Sequence, residues 1–256
     1  MISRLFRFVL KYIPRPWLIR LSYPAKAVLP LLLRGNRYKD PIDGRGYRKF
    51  LPYGYGDRQR PNVLAPGSLS LERHRLLWLY LKRHTDFFTA PAKMLHIAPE
   101  QCFYKRFRKM KNLNYTTADL ESPLADLKFD LHNIPLPDNS YDIIFCHHVL
   151  EHVEDDLQCM REMCRVLKPG GLAIMQIPQD PSRKTTFSDP SITDEQERIR
   201  LFGQYDHVRV YGLDYPKRLE AAGFTVSEYR YEDDITPEEA DIYRLMKGER
   251  LYVCTK

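Results

Sequence analysis

The chain has 256 residues, 29% charged and 43% hydrophobic, the balance of a folded protein with room for one α/β domain and extensions or for two small domains. Its net charge of +7 is unevenly placed. Residues 1–60 hold 14 Lys/Arg against 3 Asp/Glu, net +11, and residues 61–256 hold 26 against 30, net −4. That asymmetry argues against a uniform nucleic-acid-binding surface. The five cysteines, an odd number with no Cys-x-x-Cys pair, argue against a disulfide framework or a thiolate zinc site and fit a reducing cytoplasm. No signal peptide is expected, because the start lacks a clean apolar core and a small-residue cleavage site.

Residues 1–13 predict an amphipathic helix, with Ile2, Leu5, Phe6, Val9, Leu10 and Ile13 on one side and Arg4, Arg7 and Lys11 towards the other. Pro14 and Pro16 end it. The apolar stretch 17–33 is too short and too interrupted by Arg20, Pro24, Lys26 and Pro30 to span a bilayer. Two readings of this basic segment stand side by side: it lies on an anionic membrane surface, or it packs on protein. Residues 34–69, punctuated by Gly, Pro, Asp and Asn, suggest a small hairpin-like module. Residues 70–88 predict a strong helix with Ser70 as N-cap, and a stripe of Leu76, Leu77, Tyr80 and Leu81.

From residue 93 the pattern alternates. Strands are expected at 93–98, 114–119, 141–147, 172–178, 225–231 and 250–255, and helices at 100–111, 155–167 and 213–222. The expected fold class is α/β: a doubly wound, Rossmann-like, mostly parallel seven-stranded sheet with an antiparallel last strand, preceded by a helical and loop-rich extension. The domain reading is 1–33, 34–69 and 70–256.

Three blocks carry more specific information. They are DLHNIPLPDNSYD (130–142), IIFCHHVLEHVED (143–155) and CRVLKPGGLAIMQIP (164–178). In this order and spacing they resemble the class I S-adenosylmethionine-dependent methyltransferases, nearest the group that includes quinone-biosynthesis enzymes. The resemblance covers residues 93–256. It implies an enzyme with S-adenosylmethionine as cofactor, Asp119 on the ribose hydroxyls, Asp130 on the adenine amino group, the Leu131 backbone along the adenine edge, and His147 where methionine and acceptor meet. Asp142 is equally suited to capping a turn.

The first loop departs from the family pattern. Where the family has an acidic residue and three glycines, this chain has His96, Ala98, Glu100 and Cys102. Alanine is the smallest substitute for a glycine at positive φ. Glu100 is expected to pair with the cofactor ammonium, and His96 to replace the usual acid. Retention of Asp119 and Asp130 favours a working site. Upstream, Asp40, Asp43, Ala65 and Ser68 stand where a related zinc-knuckle module carries four cysteines, so the module is expected without its metal.

Methyl transfer needs a base only when the acceptor must lose a proton. His147, His148 and His207 are the candidate catalytic residues. One of the two adjacent histidines should face the cleft, since neighbours at a strand end point to opposite sides. His207, Arg209 and Tyr211 either enter an acceptor pocket or anchor the lid that holds them. Asp180 either faces the acceptor or caps a turn. His148 and His152 offer two imidazoles four apart, but no third ligand has suitable spacing, so no metal is expected. The acceptor is expected to be a small or lipid-linked molecule and the location cytoplasmic, at the inner face of the membrane if the basic segment lies on it. The alternatives are a noncatalytic relative and, less favoured, an RNA methyltransferase: the run YRKFLPYGYGDRQR has the aromatic-basic mix that stacks bases.

Overall fold

The computed structural model describes residues 28–54 and 59–256. The helix expected at 1–13, and the segment after it as far as residue 27, lie outside them. Among the described residues no helix is long and apolar enough to cross a membrane. The chain divides into two compact units, one running to Tyr80 and taking back Glu232–Lys247, the other comprising Leu81–Tyr231 and Gly248–Lys256.

In the first unit β1 (Arg34–Lys39) pairs antiparallel with β2 (Gly46–Tyr47), and β3 (Leu51–Tyr53) with β4 (Arg60–Leu64). Leu33, Tyr38, Tyr47, Phe50 and Ala65 form its small apolar core. The positions compared with knuckle ligands are stitched by hydrogen bonds. Asp40 Oδ1 accepts from the Ile42 amide, Asp43 Oδ1 from the Arg45 amide and Ser68 Oγ from the Ser70 amide, each two residues on. Tyr47 donates its hydroxyl to Asp43 Oδ2 at 2.5 Å. Helix α1 (Glu72–His84) starts later than Ser70 implied. Ser70 does not cap it: its hydroxyl donates to Asp40, and the His74 ring instead reaches back to accept from the Leu71 amide at 3.0 Å. Arg75 of α1, fully buried, donates to the carbonyls of Val63, Ser70, Tyr243 and Arg244.

The second unit is built on one seven-stranded sheet. Its elements are β5 (Ala92–Ile97), α2 (Gln101–Phe107), β6 (Leu113–Asp119), β7 (Leu127–Lys128), β8 (Tyr141–His147), α3 (Asp156–Val166) and β9 (Leu167–Gln176). There follow β10 (Phe187–Ser188), α4 (Glu195–Phe202), β11 (Arg209–Val210), α5 (Tyr215–Ala221), β12 (Thr225–Arg230), α6 (Pro237–Tyr243, in the first unit) and β13 (Arg250–Thr255). The strand order is β12-β13-β9-β8-β5-β6-β7. All neighbours run parallel except β13, which is antiparallel to both β9 and β12. The strand at 127–128 escaped the sequence pattern because two residues carry no periodicity. It is held at the edge by Asp126, which accepts from the amide and hydroxyl of Thr117.

The central strands are apolar because helices cover both faces of a parallel sheet. Ile144, Phe145 and Cys146 of β8 are wholly buried. Helix α3 is capped by Asp155, whose carboxylate accepts from the Gln158 amide, and it buries Cys159, Met160, Met163 and Cys164 against the sheet core. All five cysteines are buried, and none forms a disulfide among the described residues. Chain progression reverses between β5 and β8, and ligands in such sheets sit beyond the carboxyl ends at that reversal.

Candidate active site

A cavity of about 850 Å³ lies at that place, within the range of small-molecule sites. Ala98, Asp119, Asp130, Leu131 and His148 are in its wall. Ala98 follows β5 with φ +46°, a left-handed conformation that costs an L-residue about 1–2 kcal/mol, and its amide donates to the Ala118 carbonyl at 2.8 Å. The chain thus keeps the backbone path a glycine would take and accommodates one methyl group there. Pro99 and Glu100 then lead into α2, with Glu100 extended at the N-cap and its side chain not used as a cap.

The Glu100 carboxylate serves two imidazoles instead of the cavity. Its Oε2 lies 2.7 Å from His96 Nε2, and its Oε1 lies 2.7 Å from His147 Nδ1. His96 Nδ1 is 2.9 Å from the Tyr115 hydroxyl. Phe103, Phe107 and Phe145 surround the His96 ring. Burial holds the His96 pKa below its ordinary value. Burial also pushes the Glu100 carboxyl upward, but the charge and hydrogen bond of His147 and those of His96 outweigh it, and the group stays well below the usual carboxylate range. One proton arrangement satisfies all of this: Tyr115 donates to His96 Nδ1, while His96 Nε2–H and His147 Nδ1–H both donate to ionised Glu100. The residues expected to bind the cofactor at 96, 100 and 147 are therefore joined to one another and are absent from the cavity wall.

Asp119 Oδ1 accepts from the amides of Glu121 and Ser122, a turn that fixes the carboxylate at the end of β6. Asp130 Oδ1 accepts from the His132 amide and lies 2.6 Å from His132 Nδ1. His132 Nε2 accepts from the Asp155 amide at 3.1 Å, so Nδ1 must carry the proton. These backbone and ring bonds lower the Asp130 pKa and tie it to the start of α3. One oxygen of each aspartate is thus spent on positioning, and the second has no partner among the described residues.

The adjacent histidines separate, because β8 ends at His147 and the chain turns at His148. His147 turns inward to Glu100, and His148 lies in the cavity wall with φ +54°. His148 Nδ1 is 3.3 Å from Glu151 Oε1. His152 and Asp206 also line the cavity, and His152 Nδ1 lies 3.3 Å from Asp206 Oδ2. His207 is buried just behind, its ring edge-on to that of His152 with centroids 4.7 Å apart. Arg209 and Tyr211 prove to be anchors. The Arg209 guanidinium donates to the carbonyls of Leu150, Val153 and Glu154, and the Tyr211 hydroxyl donates to Asp156 at 2.8 Å. They pin the turn that carries Glu151 and His152. Asp180 closes a turn onto Ser182, and Asp142 is bound by Lys168 and the Lys93 amide.

Sequence reasoning passed over Glu151 and Gln176. Glu151 is only 1% exposed, a buried carboxylate next to the cavity wall. Gln176 ends β9, is 2% exposed, and neither of its amide atoms has a partner among the described residues. A polar residue at the carboxyl end of a buried parallel strand was the available signal.

Residues 89–175 match the family model described as a methyltransferase domain. A probable S-adenosylmethionine-dependent methyltransferase of Mycolicibacterium smegmatis is 30% identical over 131 residues, 47% of this chain and 45% of that protein. A demethylmenaquinone methyltransferase of Listeria welshimeri is 42% identical over 72 residues, 23% of this chain and 30% of that one. The chain spans less than half the length of these curated relatives. An S-adenosylmethionine dependent methyltransferase structure from Mesorhizobium loti superposes with TM-score 0.45 at 16% identity, covering 70% of this chain and 97% of that one. Residues 89–175 are thus similar to methyltransferase domains, and they belong to a Rossmann-like, mostly parallel seven-stranded sheet.

Proposed function

We propose that the protein transfers a methyl group from S-adenosylmethionine to a small or lipid-linked acceptor. The observation that carries this reading is one cavity holding Asp119 and Asp130 at the ends of the strands where the family binds its cofactor, each with an oxygen to spare. Asp119 would accept from the ribose hydroxyls, and Asp130 with the Leu131 backbone would hold the adenine. When bound, the cofactor supplies an already activated sulfonium methyl, so the chain's task is alignment and the exclusion of water. His148, in the wall with its Nδ1 3.3 Å from Glu151 Oε1, would take a proton from an acceptor hydroxyl. The basic residues 1–60, beside a mildly acidic remainder, favour an acceptor held at an anionic membrane surface. The likeness to a quinone-pathway enzyme supports a lipid-linked acceptor.

Calorimetric titration with S-adenosylmethionine and S-adenosylhomocysteine tests this reading. Micromolar binding is expected, weakened at least tenfold in Asp119→Ala and in Asp130→Ala. Folded wild-type protein that binds neither compound would replace it with the noncatalytic reading.

A further inference from the structure

We propose a divalent-metal site beside the cofactor cavity, formed by Glu151, His152 and His207. Each offers one ligand atom, and these atoms lie within 4.8 Å of one another. Ligands around a four-coordinate ion sit about 3.3 Å apart, so closure requires side-chain shifts of no more than about 1.5 Å.

Two of the three groups are oriented as metal ligands are. His207 Nδ1 lies 3.2 Å from the Phe202 carbonyl, which can only accept, so Nδ1 carries the hydrogen and Nε2 keeps its lone pair. That Nε2 is buried and has no partner among the described residues. Glu151 uses Oε1 towards His148, while its Oε2 is likewise buried and unpartnered. A buried carboxylate oxygen and an unprotonated imidazole nitrogen, both without partners in one cluster, are costly unless a cation or water serves them. The two cannot satisfy each other, because both atoms are acceptors. His152 lines the cavity and is 35% exposed, so the third ligand faces the open side. Arg209 and Tyr211 hold the turn bearing Glu151 and His152 rigid through the contacts described above, the support a metal site needs.

Two imidazoles and one carboxylate fit a first-row transition ion such as Zn²⁺, Mn²⁺ or Fe²⁺ better than Mg²⁺ or Ca²⁺. Three protein ligands leave a coordination position towards the cavity. An acceptor with an oxygen donor, such as a phenol or a vicinal diol, would occupy it. The buried cluster of His96, Glu100 and His147 is geometrically similar but differs in kind, because both of its carboxylate oxygens already accept hydrogen bonds from the imidazoles.

The role assigned to the ion rests on the methyltransferase reading; the site itself does not. The test is titration of metal-free full-length protein with Co²⁺, read by its visible d–d absorption, and with Zn²⁺ by calorimetry, both without cofactor. One ion per chain is expected, with affinity falling at least tenfold in Glu151→Gln and in His207→Gln and unchanged in His147→Gln, each variant checked for folding by circular dichroism. The proposal is overturned if folded wild type binds no Co²⁺ or Zn²⁺, which leaves water in the site. It is also overturned if binding survives both substitutions or is lost in His147→Gln. Titration of the same metal-free protein with S-adenosylhomocysteine reports separately on the cofactor reading.

Discussion

Replacing Glu100 separates two roles. The sequence assigned it to the cofactor ammonium; the structure places it between two imidazoles at 2.7 Å each, outside the cavity wall. Glu100→Ala leaves His96 Nε2–H and His147 Nδ1–H buried without acceptors. At about 1–3 kcal/mol for each unsatisfied donor, the cost is about 2–6 kcal/mol. In a domain of this size that lowers Tm by about 5–15 °C. Glu100→Gln costs less, about 1–3 kcal/mol, because the amide oxygen still accepts from one imidazole and its NH₂ suits the other after a tautomer change. Urea unfolding and differential scanning calorimetry give the stability, and S-adenosylhomocysteine titration gives the affinity. Glu100→Gln is expected to lose stability while affinity changes less than threefold. Unchanged stability with a tenfold loss of affinity would refute the structural role and restore the ammonium contact.

Ala98→Gly should stabilise the protein by about 0.5–1 kcal/mol in urea unfolding, since relief of the left-handed strain exceeds the extra unfolded-state entropy of glycine. Stability should fall as pH drops from 7.5 to 5.5. His96 and His207 have folded pKa values lowered by burial, so the unfolded chain binds more protons below its ordinary histidine value of about 6.5. Their contribution is complete above that value and is lost towards the folded pKa; chemical denaturation at stepped pH checks the sign. Arg209→Met should cost about 2–5 kcal/mol in thermal unfolding, because three carbonyls of the 150–154 turn lose a buried donor.

Local chemistry made much of this legible from the sequence. Apolar runs such as Ile143–Cys146 could only be strands buried on both faces, and the stripe on α3 could only face them. The mostly parallel seven-stranded sheet and its antiparallel last strand are as expected, while the strand order comes from the structure. Asp119, Asp130, Leu131 and Ala98 were placed in the cavity wall because position at a strand end is itself a sequence property. Alternation predicted the separation of His147 from His148, though it did not say which faced the cavity.

What the sequence left undecided was which polar side chains meet. Glu100 and His147 are 47 residues apart and share a hydrogen bond, and Glu151 and His207 converge although 56 positions separate them. No periodicity encodes such pairings, since they depend on the rotamers and loop paths that packing selects. For Arg209 and Tyr211 the sequence left pocket and anchor open, and the fold turns them onto carbonyls and Asp156 as anchors. Composition, pattern and strand-end position determined the scaffold and the residues that line its cavity, because those are local. Only the tertiary structure decided which groups are neutralised inside and which are left in the cavity wall, because burial and partnership are properties of the packed chain.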